Sequence, residues 1–500
     1  MSFVIGIDIG TSGTKIVLVD ETGEVKASSY REYPLSQPKA NWAEQNPEDW
    51  WEAVVKGLQD IWEKSHLTGK DIAGIGLSGQ MHGAVLLDSN NQVLRPAILW
   101  CDQRTGAECD FITKEVGEKQ LYHWTGNPAL TGFTAPKILW LERHEFDTYQ
   151  KIKQILLPKD YIRFRLTGKF ASDVSDASGT LLMDVANRSW SQNMLKALNI
   201  SEDWLPQIYE SPEITGGINM EAAQATGLLA GTPVVGGGGD QAAGAVGNGI
   251  VEEGILSAAL GTSGVVFAMT NEPVIQPGSS LHAFCHAVPG KWHLMGVMLS
   301  AGASLQWFRN QLATNASYDE LAAEAMKVGL GAEGLLFLPY LLGERTPYPD
   351  PLLRGSFIGL TMRHQKGHLT RAIMEGVSFG LMDSMELLSS AGVALGEVRA
   401  SGGGAKSQLW RSILADIFQQ RITTINTTDG PAFGAALLAA VGAGIFTNVE
   451  EACRKTIKLT SAVEPEQQNM AAYQKLYNKY KEMYPLLKST MHYLSNQYGN

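Results

Sequence analysis

Short apolar runs along the chain alternate with stretches whose apolar positions recur every three or four residues, the pattern of strands interleaved with helices. The opening reads as a hairpin. Residues 4–9 predict a buried strand, Gly10-Thr11-Ser12-Gly13 a tight turn, and residues 14–20 a second strand, after which Thr22-Gly23 leads into a third at 25–30. Asn46-Pro47-Glu48-Asp49 predicts a helix start: a capping amide, a proline in the first turn and two acids at the positive end of the dipole. Trp51, Val54, Val55, Leu58, Ile61 and Trp62 follow at helical spacing, and further strands are predicted at 72–77 and 84–87. The fold class is α/β.

The same pattern occurs twice. Asp8-Ile9-Gly10-Thr11-Ser12-Gly13 returns as Ala259-Leu260-Gly261-Thr262-Ser263-Gly264, again between apolar strand-like runs, at 254–259 and 265–269. A strand–glycine turn–strand unit at the head of each half implies a duplicated domain. The acid stands only in the first copy, as expected if two halves share one cleft that needs it once. Five hundred residues exceed what a single core supports, so two domains are expected, 1–247 and 248–500, divided near the glycine-rich stretch 247–254. Residues 432–446 are the longest apolar stretch, too short to span a membrane and suited by alanine and glycine to a tightly packed helix. Tyr473, Leu476, Tyr477, Tyr480 and Tyr484 form an aromatic stripe that predicts a terminal helix over 466–489, docked on the second domain.

Composition narrows the function. A net charge of −11 argues against nucleic-acid and anionic-membrane partners, both of which select basic surfaces. The four cysteines, Cys101, Cys109, Cys285 and Cys453, form no CxxC pair, and so few suggest reduced thiols, with neither a disulfide framework nor a zinc site. The chain runs from Met1 straight into a strand-like segment without the basic and apolar regions of a signal peptide. The expected location is the cytoplasm.

Glycine turns with hydroxyl neighbours let backbone N–H groups approach phosphate closely, and three occur, at 10–13, 261–264 and 402–404. One such turn is also simply a hairpin turn, but two at the same point of two similar halves point to a shared phosphate. The P-loop and protein-kinase motifs are absent, and Gly10–Gly13 opens a strand rather than the helix that a dinucleotide fold requires. Asp240 follows four glycines, 236–239, and precedes a helical run at 241–246. It can be a helix cap, or an accessible general base that takes the proton of an attacking hydroxyl. Asp8 is the matching candidate for Mg2+, which favours a carboxylate or two plus phosphate oxygens. Gln80 and His82, in a glycine-flanked loop after the strand 72–77, can both hydrogen-bond sugar hydroxyls, although a lone histidine is often structural. Trp100, Asp102 and Arg104 can add donors or form a surface ion-pair network.

These residues resemble the FGGY family of carbohydrate kinases. Residues 132–144 (GFTAPKILWLERH) and 355–375 (GSFIGLTMRHQKGHLTRAIME) are similar to its two signatures, and 8–13, 236–240 and 343–347 are family-like, so the resemblance runs from about residue 3 to about 485. Within the family, residues 80–83, 157–161, 172–180 and 282–286 are similar to the xylulose-specific subgroup, while Gln80-Met81-His82 stands where glycerol-specific members carry Gln-Arg-Glu. Gln241 departs from the asparagine often found there, which touches the sugar and not the reaction. The resemblance implies two actin-like (ribonuclease H-like) ATPase domains around a cleft, with ATP and Mg2+ as cofactors and D-xylulose as the sugar. It implies Asp240 as base and Asp8 as the magnesium-linked acid. Met81, His82, Asp240 and Gln241 would contact the sugar, Thr11, Ser12, Gly13 and Thr262 the phosphates, and Gly302, Gln306, Gly404 and Gln408 the adenosine. Dimers are common among such kinases, though the chain carries no interface pattern. The rivals are a sibling kinase for L-ribulose, ribitol or gluconate, an actin- or Hsp70-like nucleotide switch, and a sugar-binding relative lacking one of the acids.

Overall fold

The apolar alternation of the first thirty residues folds as expected. In the computed structural model, which describes residues 2–498, Phe3–Ile9, Gly13–Asp20 and Val25–Glu32 form consecutive antiparallel strands. Asn46 caps the helix Pro47–Ser65 by accepting the Glu48 N–H, and that helix buries Trp50, Val54, Leu58 and Ile61.

Each half is built on a seven-stranded mixed sheet. The first runs Ile214–Gly217, Pro233–Val235, Ile72–Gly79, Phe3–Ile9, Gly13–Asp20, Val25–Glu32, with the short strand Gly238–Gly239 also pairing to Ile72–Gly79. The second runs His282–Cys285, Trp292–Met298, Gly264–Thr270, Ile255–Leu260, Glu397–Ser401, Ile422–Ile425, Leu459–Val463. The centres of the two sheets match. Asp8 faces Lys15 across an antiparallel pair and Ser78 across a parallel one, and Ala259 faces Val265 and Ser401 in the same way. The duplication read from the glycine turns is therefore a duplication of sheet topology.

The apolar run after residue 430 becomes the helix Gly430–Gly442, buried from Ala432 to Ala440. It lies on the sheet of the first half, sharing a core with Val4, Val17, Val19, Val235, Ala242 and Val246. The contact is backbone on backbone. A Cβ on Gly6 would stand 1.9 Å from the Ala432 carbonyl oxygen, one on Gly76 1.9 Å from that of Ala435, and one on Gly434 1.8 Å from that of Ala243. The terminal helix runs from Gln467 to Tyr498, nine residues beyond the expected end, through Pro485. Its stripe docks on the second core, each buried hydroxyl partnered: Tyr473 donates to Glu375 (2.8 Å), Tyr477 to Asp383 (2.7 Å), and Tyr480 accepts from Tyr340 (3.2 Å). All four cysteines are unpaired. Among the described residues no helix is long and apolar enough to cross a membrane.

Candidate active site

Asp8 and Asp240 reach one place by different routes. Asp8 is the next-to-last residue of the strand Phe3–Ile9, whose neighbour Ile72–Gly79 pairs in parallel with Gly238–Gly239 immediately before Asp240. Gly237 makes the approach possible: at φ +66 it is left-handed, and a Cβ there would lie 2.0 Å from the Leu77 carbonyl oxygen. Asp240 is the first residue of the helix Asp240–Gly247, and the cap position belongs to Gly239, so the capping role is not the one it plays.

Burial pushes the Asp8 carboxyl up to about 6. Burial, and then the negative charge of Asp8, push that of Asp240 up to about 7. The Asp8 Oδ1 atom is buried without a hydrogen-bond partner. An unpartnered carboxylate oxygen on Asp8, and a second carboxylate close enough for the Asp8 charge to raise it, are a donor set that fits a hard divalent cation. A second acidic group does not. Asp160, Asp173 and Asp176 bring oxygens within 4.8 Å of one another, but Lys159 Nζ stands 2.6, 2.6 and 3.2 Å from them and fills the space.

The first glycine turn is held from several sides. Gln45 Nε2 donates to the Thr11 carbonyl (2.7 Å), Thr11 Oγ1 donates to Gln80 Oε1 (3.2 Å), and Trp100 Nε1 donates to Thr11 Oγ1 (2.9 Å). Gln80 is 1% exposed and also donates to Gln45 Oε1 (3.0 Å). Its amide is thus committed to the first glycine turn, which corrects the expectation that it meets the sugar. Asp102 and Arg104 are likewise structural and buried instead of superficial: Arg104 lies 2.6 Å from Asp102 and 2.7 Å from Glu44.

Of the residues expected at the nucleotide, Gly302 and Gly404 gather at the end of Ile255–Leu260. Gly302 N–H donates to the Gly261 carbonyl (2.8 Å) and Ala303 N–H to that of Thr262 (3.1 Å), docking the helix Gly302–Leu312 on the second turn. Gly402, at φ +82, sits so close that a Cβ would be 2.6 Å from the Leu260 carbonyl oxygen, and one on Gly404 2.8 Å from Leu260 Cβ. Gln306 and Gln408 are exposed, Gln408 opening its helix and Gln306 standing one turn into its own. A cavity of about 680 Å³ between the halves is lined by Asp240, Gln241, Val265, Phe267, Gly402 and Lys406 among others. Thr11, Thr262, Gly302, Gln306, Gly404 and Gln408 are not in its lining.

His82 adopts a left-handed backbone at φ +68, and its Nδ1 lies 2.6 Å from the Gly179 carbonyl. A carbonyl only accepts, so Nδ1 carries the proton and Nε2 is left as an acceptor. Burial drives its pKa down to about 3, so the ring is neutral. Its own carbonyl accepts from Lys137 Nζ (2.8 Å) and Thr134 Oγ1 (3.0 Å), both in the stretch 132–144. Met81, 4% exposed, packs where a side chain on Gly239 would be, 2.8 Å from its Cγ. Gly179, Ser175 and Arg163, which contact His82 or the glycine run, were not singled out from sequence. Their only signal was that they lie in or near the family-like runs 157–161 and 172–180.

Comparison with known proteins gives a consistent picture. Residues 3–247 match the N-terminal domain of the FGGY family of carbohydrate kinases, and residues 256–443 match its C-terminal domain. The chain is 43% identical over 484 residues to the xylulose kinase of Bacillus subtilis (strain 168), covering 97% of each. It is 44% identical over 488 residues to that of Escherichia coli (strain K12), covering 97% of this chain and 99% of that one. A crystal structure of a "xyloylose kinase" from Brucella ovis superposes with a TM-score of 0.92 at 39% identity, covering 98% of this chain and all of that one.

Proposed function

The chain belongs to the FGGY family of carbohydrate kinases, and from that premise we propose that it transfers the γ-phosphate of ATP to the 5-hydroxyl of D-xylulose, giving D-xylulose 5-phosphate and ADP. The observation that carries the mechanism is the Asp240 carboxyl at the wall of the interdomain cavity, raised to about 7 by burial and then by the charge of Asp8. A base of that strength accepts a proton from a hydroxyl as it attacks phosphorus and still ionises near neutrality. Neutral His82, with Nε2 free to accept, suits a sugar hydroxyl better than a phosphate oxygen. Met81 and Gln241 complete the sugar contacts. Thr11, Ser12, Gly13 and Thr262 are the phosphate donors, and Gly302, Gln306, Gly404 and Gln408 the adenosine contacts.

Asp8 would hold Mg2+ directly or through water, and the bound ion would offset charge on the transferring phosphoryl group. Excluding water from the cleft is the protein's own contribution, since water is the competing acceptor. The reading puts the enzyme in the cytoplasm, in keeping with its unpaired cysteines, and leaves a homodimer as one assembly to look for by sedimentation.

The test is a coupled ADP-release assay over D-xylulose, L-ribulose, ribitol, gluconate and no acceptor. The proposal expects the highest kcat/KM with D-xylulose and slow ATP hydrolysis without sugar. Asp240→Asn should keep fold and ATP binding while losing ~100-fold or more in sugar-dependent kcat. Equal turnover with and without sugar would favour a nucleotide switch instead.

A further inference from the structure

Beneath the glycine run lies a buried charged cluster that the reaction just described does not use. Lys159, Asp160, Arg163, Asp173 and Asp176 are all fully buried. Three acids there meet two bases. Asp176 is raised well above the ordinary carboxylate value, first by burial. Apolar side chains of the same volume would fill such a space at less cost in desolvation, so the cluster asks for a reason.

Its contacts supply one. Lys159 Nζ holds Asp173 Oδ2 at 2.6 Å, and Asp173 Oδ1 accepts from Ser175 Oγ at 2.5 Å. Ser175 Oγ in turn accepts the Gly239 N–H at 3.1 Å, immediately before Asp240. Arg163 donates to Asp160 Oδ1 and the Ala171 carbonyl, each at 2.6 Å, and through its other terminal nitrogen to the Gly236 carbonyl. The four-glycine run is thus fastened at its first and last residues by one rigid body. Lys159 also packs under Gly79, where a Cβ would be 3.2 Å from its own, and Ser78 of the same strand faces Asp8. Glycine has the widest backbone freedom of any residue, and a misplacement of about 1 Å at a reacting group costs roughly 100-fold in rate.

We propose that Ser175 and Arg163, held by the Lys159–Asp160–Asp173 cluster, are positioning residues for Asp240, fixing its glycine run against the strand beside Asp8. This rests on reading Asp240 as the base of the sugar kinase. Ser175→Ala removes a neutral hydroxyl and leaves the ion pairs, so it is the primary variant. Arg163→Lys, which keeps the charge but loses the two-armed grip, is the second. Both should lower kcat ~10–100-fold with the KM values for D-xylulose and MgATP within about threefold of wild type. The decisive readout is the double mutant. Ser175→Ala in an Asp240→Asn background should cost less than ~3-fold more, because a positioning group has no effect once its base is gone. A merely structural role would make the two losses multiply. Multiplying losses, or wild-type kcat in folded Ser175→Ala and Arg163→Lys, overturn the proposal. Asp240→Asn with undiminished turnover would overturn the base assignment, and this proposal with it. Loss in Asp240→Asn with none in the other variants defeats the positioning role alone.

Discussion

Replacing Gly179 by alanine should detach His82 from its anchor while leaving the nucleotide side untouched. The added Cβ would lie 2.4 Å from His82 Nδ1 and 2.5 Å from Cε1, against ordinary contacts of 3.4 Å or more, so the ring must retreat by about 1 Å. The 2.6 Å bond from Nδ1 to the Gly179 carbonyl then stretches to about 3.6 Å and ceases to be a hydrogen bond. The ring has no easy alternative seat, because Lys137 and Thr134 hold its backbone carbonyl and Phe133 packs on it with ring centres 4.8 Å apart. A sugar hydroxyl that donates to Nε2 loses a positioned acceptor, which is worth about 1–3 kcal/mol, or roughly 5- to 150-fold in kcat/KM for D-xylulose. The assay is steady-state kinetics with each substrate varied in turn, together with a thermal melt. The KM for MgATP should move less than about twofold and Tm by only a few degrees. A folded Gly179→Ala enzyme with unchanged kcat/KM for the sugar, or an equal rise in both KM values, would refute the assignment of His82 to the sugar.

Three further outcomes are expected. Asp8→Ala should lower kcat and raise the Mg2+ concentration for half-maximal rate, read from a metal titration, and an unchanged metal dependence would leave Asp8 a structural acid. Since burial and Asp8 raise the Asp240 carboxyl to about 7, protonation on acidification removes the proposed base. The acid limb of kcat/KM, which reports the free enzyme, should therefore fall near neutrality, and a limb near 4 in that profile would contradict this. Gly434→Ala puts a Cβ 1.8 Å from the Ala243 carbonyl oxygen, so overpacking of about 1–3 kcal/mol or more outweighs the ~1 kcal/mol helix gain of alanine. Calorimetry should show a Tm lower by a few degrees, where propensity alone predicts a rise.

Features carried by local pattern were legible in the sequence: both hairpins, the Asn46 cap, the terminal aromatic helix and the acid after four glycines. The equivalence of residues 8 and 259 needed only the repeated turn. Partnerships between residues distant along the chain were not legible. Gln80 looks like a ligand-binding amide, and only the meeting of strands shows both its ends spent on Thr11 and Gln45. Gly179 acts on His82 across 97 residues, through a contact that no periodicity encodes. Lys159 and Asp160 stand out only within the family-like run 157–161, because a buried ion cluster has the same composition as a solvated face. The stretch 432–446 was legible as a buried helix, but nothing in it says that it lies on the sheet of the other half.

That last placement has a consequence for how the chain is made. During synthesis the first sheet is complete once residue 239 has been added, yet the helix that covers Val4, Val17 and Val19 arrives only with residue 442. At about 5–20 residues per second, the nascent first half waits roughly 10–40 s with that apolar face open. The wait exposes a surface that chaperones bind and that aggregates if left bare. A chain stalled or cleaved before residue 430 should be captured by a chaperone or lost to inclusion bodies. Fragments cut at the middle of the chain should likewise stay soluble only when both are expressed together.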